Sequence, residues 1–128
     1  MTGRKDKANV VAKASKYRLE FLESALDEWQ RLDGSVRQIL KKLLEKRLVA
    51  PRVAGAELHG ELADCYKIKL RKQGYRLVYQ VRDEVLVVLV IAVDRRDKDK
   101  VYEAALARIR KMVADAVEKV KKQAARRR

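Results

Sequence analysis

A small α+β domain in the order βααβββα is what this sequence predicts: an antiparallel four-stranded sheet packed on one face by an N-terminal helical hairpin and a C-terminal helix. Three observations lead there. Two adjacent segments of helical period precede Pro51, three strand-like runs joined by hairpin-length connections follow, and the helical period returns from about Asp97.

The first strand candidate is residues 17–22, where Tyr17, Leu19 and Phe21 alternate against Arg18 and Glu20. Ser24 is placed to cap a helix carrying Leu26, Trp29 and Leu32, which Asp33-Gly34 breaks. A second helix starts near Ser35 with an apolar stripe of Val36, Ile39, Leu40, Leu43, Leu44 and Leu48, and Pro51 ends it. Residues 52–63 read as a loop. Strands are expected over 65–70, 75–81 and 85–93, as an antiparallel meander with the first strand added at an edge. The run 85–93 is apolar throughout, so it should be central and covered on both faces. Beyond Asp97, Tyr102, Ala105, Leu106, Ile109, Met112, Val113, Ala116 and Val120 mark one side of a helix.

The chain divides into a basic flexible arm (1–16), one folded domain (17–110) and a basic helical extension (111–128). Of the net charge of +14, the segment 1–16 carries +4 and residues 110–128 carry +6. Such a balance favours a polyanionic partner, nucleic acid before an anionic membrane. A single cysteine, Cys65, excludes an intrachain disulfide and fits a reducing cytoplasm. No apolar run approaches the ~18 residues that cross a bilayer, and no secretory signal is present, so a cytoplasmic protein without membrane partners is expected.

Alternation locates the cationic face. Tyr66, Ile68 and Leu70 share one side of their strand, leaving Lys67, Lys69 and Arg71 on the other, while Arg76 opposes Leu77 on the next strand. Lys67, Lys69 and Arg76 should therefore meet on an open face, with Arg95, Arg96, Lys98 and Tyr102 arriving from the segment after the central strand. Lysines that merely guard a sheet edge give the same pattern. However, two cations 6 Å apart at an effective dielectric of about 20 repel by roughly 2.8 kcal/mol. A cluster without carboxylates is better explained by an anion that comes to it.

The segments "ALDEWQRLDGSVRQILKKLLEKRL", "DCYKIKLRKQGYRLVYQV" and "VVLVIAVDRRDKDKVYEAALARI" closely resemble the RelE toxins of type II toxin–antitoxin systems, within the RelE/ParE superfamily. The resemblance spans roughly residues 17–110 and implies the RelE-like microbial RNase fold. It also implies a ribosome-dependent mRNA endonuclease that cuts the codon lying in the ribosomal A site and so inhibits translation, as part of a stress response. Its partners would be a RelB-like antitoxin, the ribosome with its rRNA, and mRNA. The positions matching the family's active site are Lys67, Lys69, Arg76, Arg96 and Tyr102, with no cofactor and no metal. Arg71, Lys72, Arg95, Lys98, Lys41, Lys42 and Lys46 are additional RNA-binding candidates. Where the family commonly carries glycine before its basic pair, this chain has Asp94, a carboxylate able to pair with Arg95 or Arg96.

Within that implied site, Lys69 is assigned as base, Lys67 and Arg76 as phosphate holders, Arg96 at the leaving oxygen, and Tyr102 as a base-stacking platform. A lysine base must drop about 3 units from ~10.4, worth roughly 4 kcal/mol, which neighbouring cations could supply. His59 reads as a loop surface residue, Cys65 as a packing residue and Trp29 as core. Two alternatives stay open on sequence: a ParE-like toxin that inhibits gyrase, and a nucleic-acid-binding module without catalysis.

Overall fold

A computed structural model describes residues 16–95 and 99–126. The expected arm, apart from Lys16, and both Arg96 and Lys98 lie outside the described residues. In chain order the elements are β1 (Arg18–Phe21), α1 (Glu23–Gln30), α2 (Gly34–Val49), β2 (Cys65–Leu70), β3 (Tyr75–Arg82), β4 (Val87–Arg95) and α3 (Lys100–Arg126). The expected βααβββα order is borne out, with sheet order β1-β4-β3-β2 and β4 inside the sheet.

Two features differ from the sequence-based expectation. The sheet is mixed, because β1 runs parallel to β4, Arg18 lying opposite Val87 and Phe21 opposite Val90. Short connections force β2, β3 and β4 to be antiparallel, but no short connection joins β1 to β4, so nothing local sets that direction. The helices also cover both faces. The helical hairpin packs Ala25, Val36, Leu40 and Leu44 against Ile68, Leu77, Tyr79, Val88 and Val90. On the other side α3 packs Val101, Ala105 and Ile109 against Cys65, Val78, Leu89, Ile91 and Ala92. A strand buried at every position from Val87 to Val93 needs cover on both sides, and one helical layer cannot supply it.

Element ends shift modestly. α1 begins at Glu23 with Leu22 at its N-cap and no side-chain cap, so Ser24 lies inside the helix instead of capping it. Asp83–Val85 form a 3-10 turn and Leu86 takes φ 53°, which delays β4 to Val87. The β2–β3 hairpin closes at Gly74, whose φ of 74° suits glycine and whose N–H reaches the Leu70 carbonyl at 2.8 Å.

An irregularity in β4 matters for the site. Val78 pairs with Ala92 but Tyr79 pairs with Val90, so Ile91 is an extra residue. Ile91 and Ala92 therefore both face α3, and Val93 returns to the hairpin side. Each residue after the bulge faces opposite to where uninterrupted alternation would put it.

Candidate active site

Cross-strand pairing places Lys69 opposite Arg76, and Arg76 opposite Asp94, forming a row across three strands. Lys67 sits two residues from Lys69 on the same side of β2. The alternating Tyr66, Ile68, Leu70 and Leu77, Tyr79 sets are drawn into the hairpin core, which leaves these charges on the α3 side. The expectation that they share a face is met, but the face is not open. α3 lies across part of it, because Val78, Leu89 and Ile91 on that side need apolar cover.

That coverage builds the site. The Tyr102 ring, on the first turn of α3, stands 5.5 Å from the Arg76 guanidinium carbon. Arg76 Nη1 also donates to Asp99 Oδ1 at 2.9 Å. With its side chain only 17% exposed, Arg76 is held between a ring and a carboxylate, and its Nε is buried without an acceptor among the described residues. Lys69, Leu70, Arg71, Tyr75 and Arg76 line a shallow cavity of about 310 Å³ beside this row.

Asp99 is the residue that sequence reasoning missed. It adopts φ 61°, a conformation aspartate tolerates better than most residues, and its carbonyl accepts the N–H groups of Tyr102 at 3.0 Å and Glu103 at 3.2 Å. It thus starts α3 and orients Arg76 at once. An aspartate immediately before a helix was the available signal. Together with Asp94 it corrects the premise of a cation cluster lacking carboxylates. Two acids adjoin Arg76, so part of its charge is balanced within the row and the Lys69–Arg76 repulsion is smaller than between bare cations.

Other candidates separate clearly. Arg95, being past the bulge, points to the hairpin side, where its guanidinium carbon lies 5.8 Å from the Tyr75 ring; it does not join the row. Lys72 is exposed on the hairpin turn, and Lys41, Lys42 and Lys46 lie on α2, across the sheet from Lys67 and Lys69. Arg96 and Lys98 lie outside the described residues. Burial pushes the Tyr102 phenol up, against the pull of Arg76, so it stays protonated near neutral pH. Cys65, fully buried, is pushed up to about 12, chiefly by desolvation, which removes it as a nucleophile. Trp29 packs 5.2 Å from Phe21 in the hairpin core, and His59 is exposed. Among the described residues, no group of three His, Cys, Asp or Glu side chains could hold a metal, and no helix is long and apolar enough to cross a membrane.

Comparison with known proteins supplies the wider context. Residues 19–100 match the family model described as the ParE toxin of the type II toxin–antitoxin system parDE. The mRNA interferase toxin RelE of Escherichia coli (strain K12) is 53% identical over 93 residues, covering 73% of this chain and 97% of that protein. A putative RelE-like toxin protein of Escherichia coli is 47% identical over 95 residues, covering 74% of this chain and 99% of that protein. Among solved structures, an arginine-substituted mutant of E. coli RelE in the free state superposes with TM-score 0.68 at 51% identity, over 73% of this chain and 98% of that one. The toxin of the intact E. coli RelBE toxin–antitoxin complex superposes with TM-score 0.61 at 52% identity, over 64% and 99% of the two chains.

Proposed function

The chain belongs to the RelE toxins of the RelE/ParE superfamily, and from that membership we propose that it is an mRNA interferase, an endoribonuclease that inhibits translation. The observation that carries the reading is the Lys69–Arg76 row with Tyr102 stacked on Arg76. It joins phosphate-binding cations to an aromatic surface that a nucleobase can share. A RelB-like antitoxin is its protein partner by the same kinship, since E. coli RelE is solved within the RelBE complex.

Chemically, the 2′-hydroxyl of one nucleotide attacks the adjacent phosphorus in line with the departing 5′-oxygen. The products are a 2′,3′-cyclic phosphate and a 5′-hydroxyl. Lys69, exposed at the cavity rim, takes the 2′-proton in this reading; Lys67 and Arg76 stabilise the charge developing on the non-bridging oxygens. Arg76 is the better-organised of these two, because Asp99 and Tyr102 fix its plane before substrate arrives. Arg96 is assigned to the leaving 5′-oxygen on the family pattern alone, neutralising its charge or donating the proton that completes the 5′-hydroxyl, while the 2′-proton remains on Lys69 until it is lost to solvent. Tyr102, protonated and half-buried, stacks on a codon base and aligns the sugar for in-line attack.

No histidine–carboxylate pair is present among these residues, so the acid–base equipment is weak. That supports dependence on the ribosome, which would hold the A-site codon in the in-line geometry that this site cannot impose unaided. Contact with rRNA and a cytoplasmic location follow from the same reading. Primer extension on an mRNA, translated or naked, tests it: cleavage within codons only when ribosomes are present is expected, and equal cutting of naked mRNA would overturn ribosome dependence. The family match by itself also covers gyrase inhibitors, so a supercoiling assay completes the test. Inhibited supercoiling with intact mRNA would replace the interferase reading.

A further inference from the structure

β1 ends at Phe21 and pairs only with Val87–Val90, whereas β4 continues to Arg95. From Ile91 onward the outer edge of β4 has no neighbouring strand among the described residues. Two side chains occupy that gap. Glu28 of α1 accepts the Val93 N–H through Oε1 at 3.1 Å, and Arg108 of α3 donates from Nη1 to the Ile91 carbonyl at 2.9 Å. The two also pair with each other, Nη1 to Oε1 at 2.8 Å and Nη2 to Oε2 at 3.0 Å. A two-pronged ion pair thus supplies the donor and acceptor that a strand would otherwise provide.

The placement has consequences for the site. Glu28 reaches from the helix on one face of the sheet and Arg108 from the helix on the other, so the pair clips both layers to the end of β4. Asp94, one residue beyond the bonded Val93, stands opposite Arg76. Tyr102 lies six residues before Arg108 on α3, about 9 Å along the axis. α3 is otherwise seated on the sheet by Val101, Ala105 and Ile109, apolar contacts that oppose sliding and rotation weakly. Its other two-pronged tie, Arg110 to Glu61, is well exposed, with side chains 60% and 58% accessible, and ends on a three-residue turn. The Glu28 and Arg108 side chains are only 22% and 23% accessible and bind the sheet itself.

We infer that Glu28 and Arg108 are positioning residues for the cleavage site: they set the edge of β4 and the rotation of α3, so that Tyr102 and Asp99 hold the Arg76 guanidinium in its working plane. The inference rests on the interferase reading for its kinetic part, but its geometric part is testable without it.

Single-turnover codon cleavage on programmed ribosomes should fall about 100-fold at saturating enzyme in Arg108→Ala. Ribosome affinity should change less than about threefold, because both side chains are mostly buried and committed to the β4 backbone and to each other. Arg108→Lys should recover part of the loss, since it keeps a donor for the Ile91 carbonyl but not the fork. The charge swap Glu28→Arg with Arg108→Glu should remain impaired, because it restores the ion pair while reversing both backbone contacts. Nuclear magnetic resonance of the full chain gives a second readout: Arg108→Lys and Glu28→Gln should shift the Tyr102 ring resonances and speed exchange of the Val93 amide. Folded Arg108→Ala cleaving at the wild-type saturating rate would overturn the inference. If the wild type cuts no mRNA, the interferase reading fails, and the Tyr102 and Val93 signals alone decide. Unmoved Tyr102 resonances in both variants would then overturn the positioning role.

Discussion

Arg76 is the residue on which the site turns, and its environment separates its role from those of the lysines. A guanidinium fixed by Asp99 at 2.9 Å and faced by Tyr102 at 5.5 Å presents its remaining N–H groups in one plane. Arg76→Ala is expected to lower single-turnover cleavage by about 10²–10³-fold, the cost of removing a preorganised charge-stabilising donor. Arg76→Lys should recover little, because an ammonium cannot fill both the planar stack and the carboxylate contact. Equal rates for Arg76→Lys and wild type in the ribosome assay would count against preorganisation. Tyr102 yields a contrasting pair of outcomes. Its phenol is pushed up by burial, so it stays protonated at neutral pH and is a poor base. Tyr102→Phe should keep the rate within about threefold of wild type, with an unchanged pH–rate profile, while Tyr102→Ala should lose the stack and about tenfold or more. A pH limb that moved in Tyr102→Phe would restore the phenol as an acid or base.

At the scale of elements, much of this architecture is legible in the sequence, and the reasons for the exceptions are physical. Alternation in β2 and β3 is clean, so the side taken by Lys67, Lys69 and Arg76 follows from counting by twos. β4 is apolar at every position to Val93, so no alternation exists to be read, and the bulge at Ile91 that turns Asp94 toward Arg76 and Arg95 toward Tyr75 leaves no trace in the pattern. The direction of β1 is equally silent, because it depends on a partner far along the chain. Loop 51–64 shows how side chains fasten a segment with little regular structure. Tyr79, fully buried, donates to the Pro51 carbonyl at 2.6 Å and accepts from Arg47 at 2.7 Å. Tyr79→Phe should cost about 1–3 kcal/mol in denaturant unfolding, since both partners lose a bond. Arg52 ties Asp83 at 2.7 Å and Asp64 at 3.0 Å at the same end. Tyr17 and Arg52 hold the Asp83 carboxyl below the usual range, as Arg110 does for Glu61. A depressed carboxyl stabilises the fold above its unfolded value near ~4, and that contribution is lost as the pH falls through the folded value. The melting temperature should thus hold from about pH 7 to about 5 and decline below about 4. Asp83→Asn should show a shallower decline, and identical pH curves would exclude the Asp83 pair as a source.

For the whole molecule, the relevant scale is charge relative to shape. The match to E. coli RelE covers 93 of the 128 residues and nearly all of that protein, so the remainder extends this chain beyond its relative. α3 runs to Arg126, yet its last buried side chain is Ile109, and every residue from Val113 to Arg126 is exposed. The part past Met112 therefore contributes little to the core, and its Lys119, Lys121 and Lys122 face solvent, where their charge acts chiefly on distant or incoming groups. A net charge of +14 favours association with polyanions, and +6 of it lies in residues 110–128, so the useful question is how much of that association these lysines carry. Each phosphate contact made through a cation releases counterions, about 0.7 per contact on single strands. Replacing Lys119, Lys121 and Lys122 by glutamine should reduce the slope of log affinity against log salt for ribosome binding by about 2 if all three touch rRNA. Cleavage at saturating ribosome concentration should remain unchanged, because the Lys69–Arg76 row lies elsewhere on the molecule. An unaltered salt slope would mean that the extension stands clear of the ribosome, and the polyanion affinity would then belong to the folded domain and the N-terminal cations.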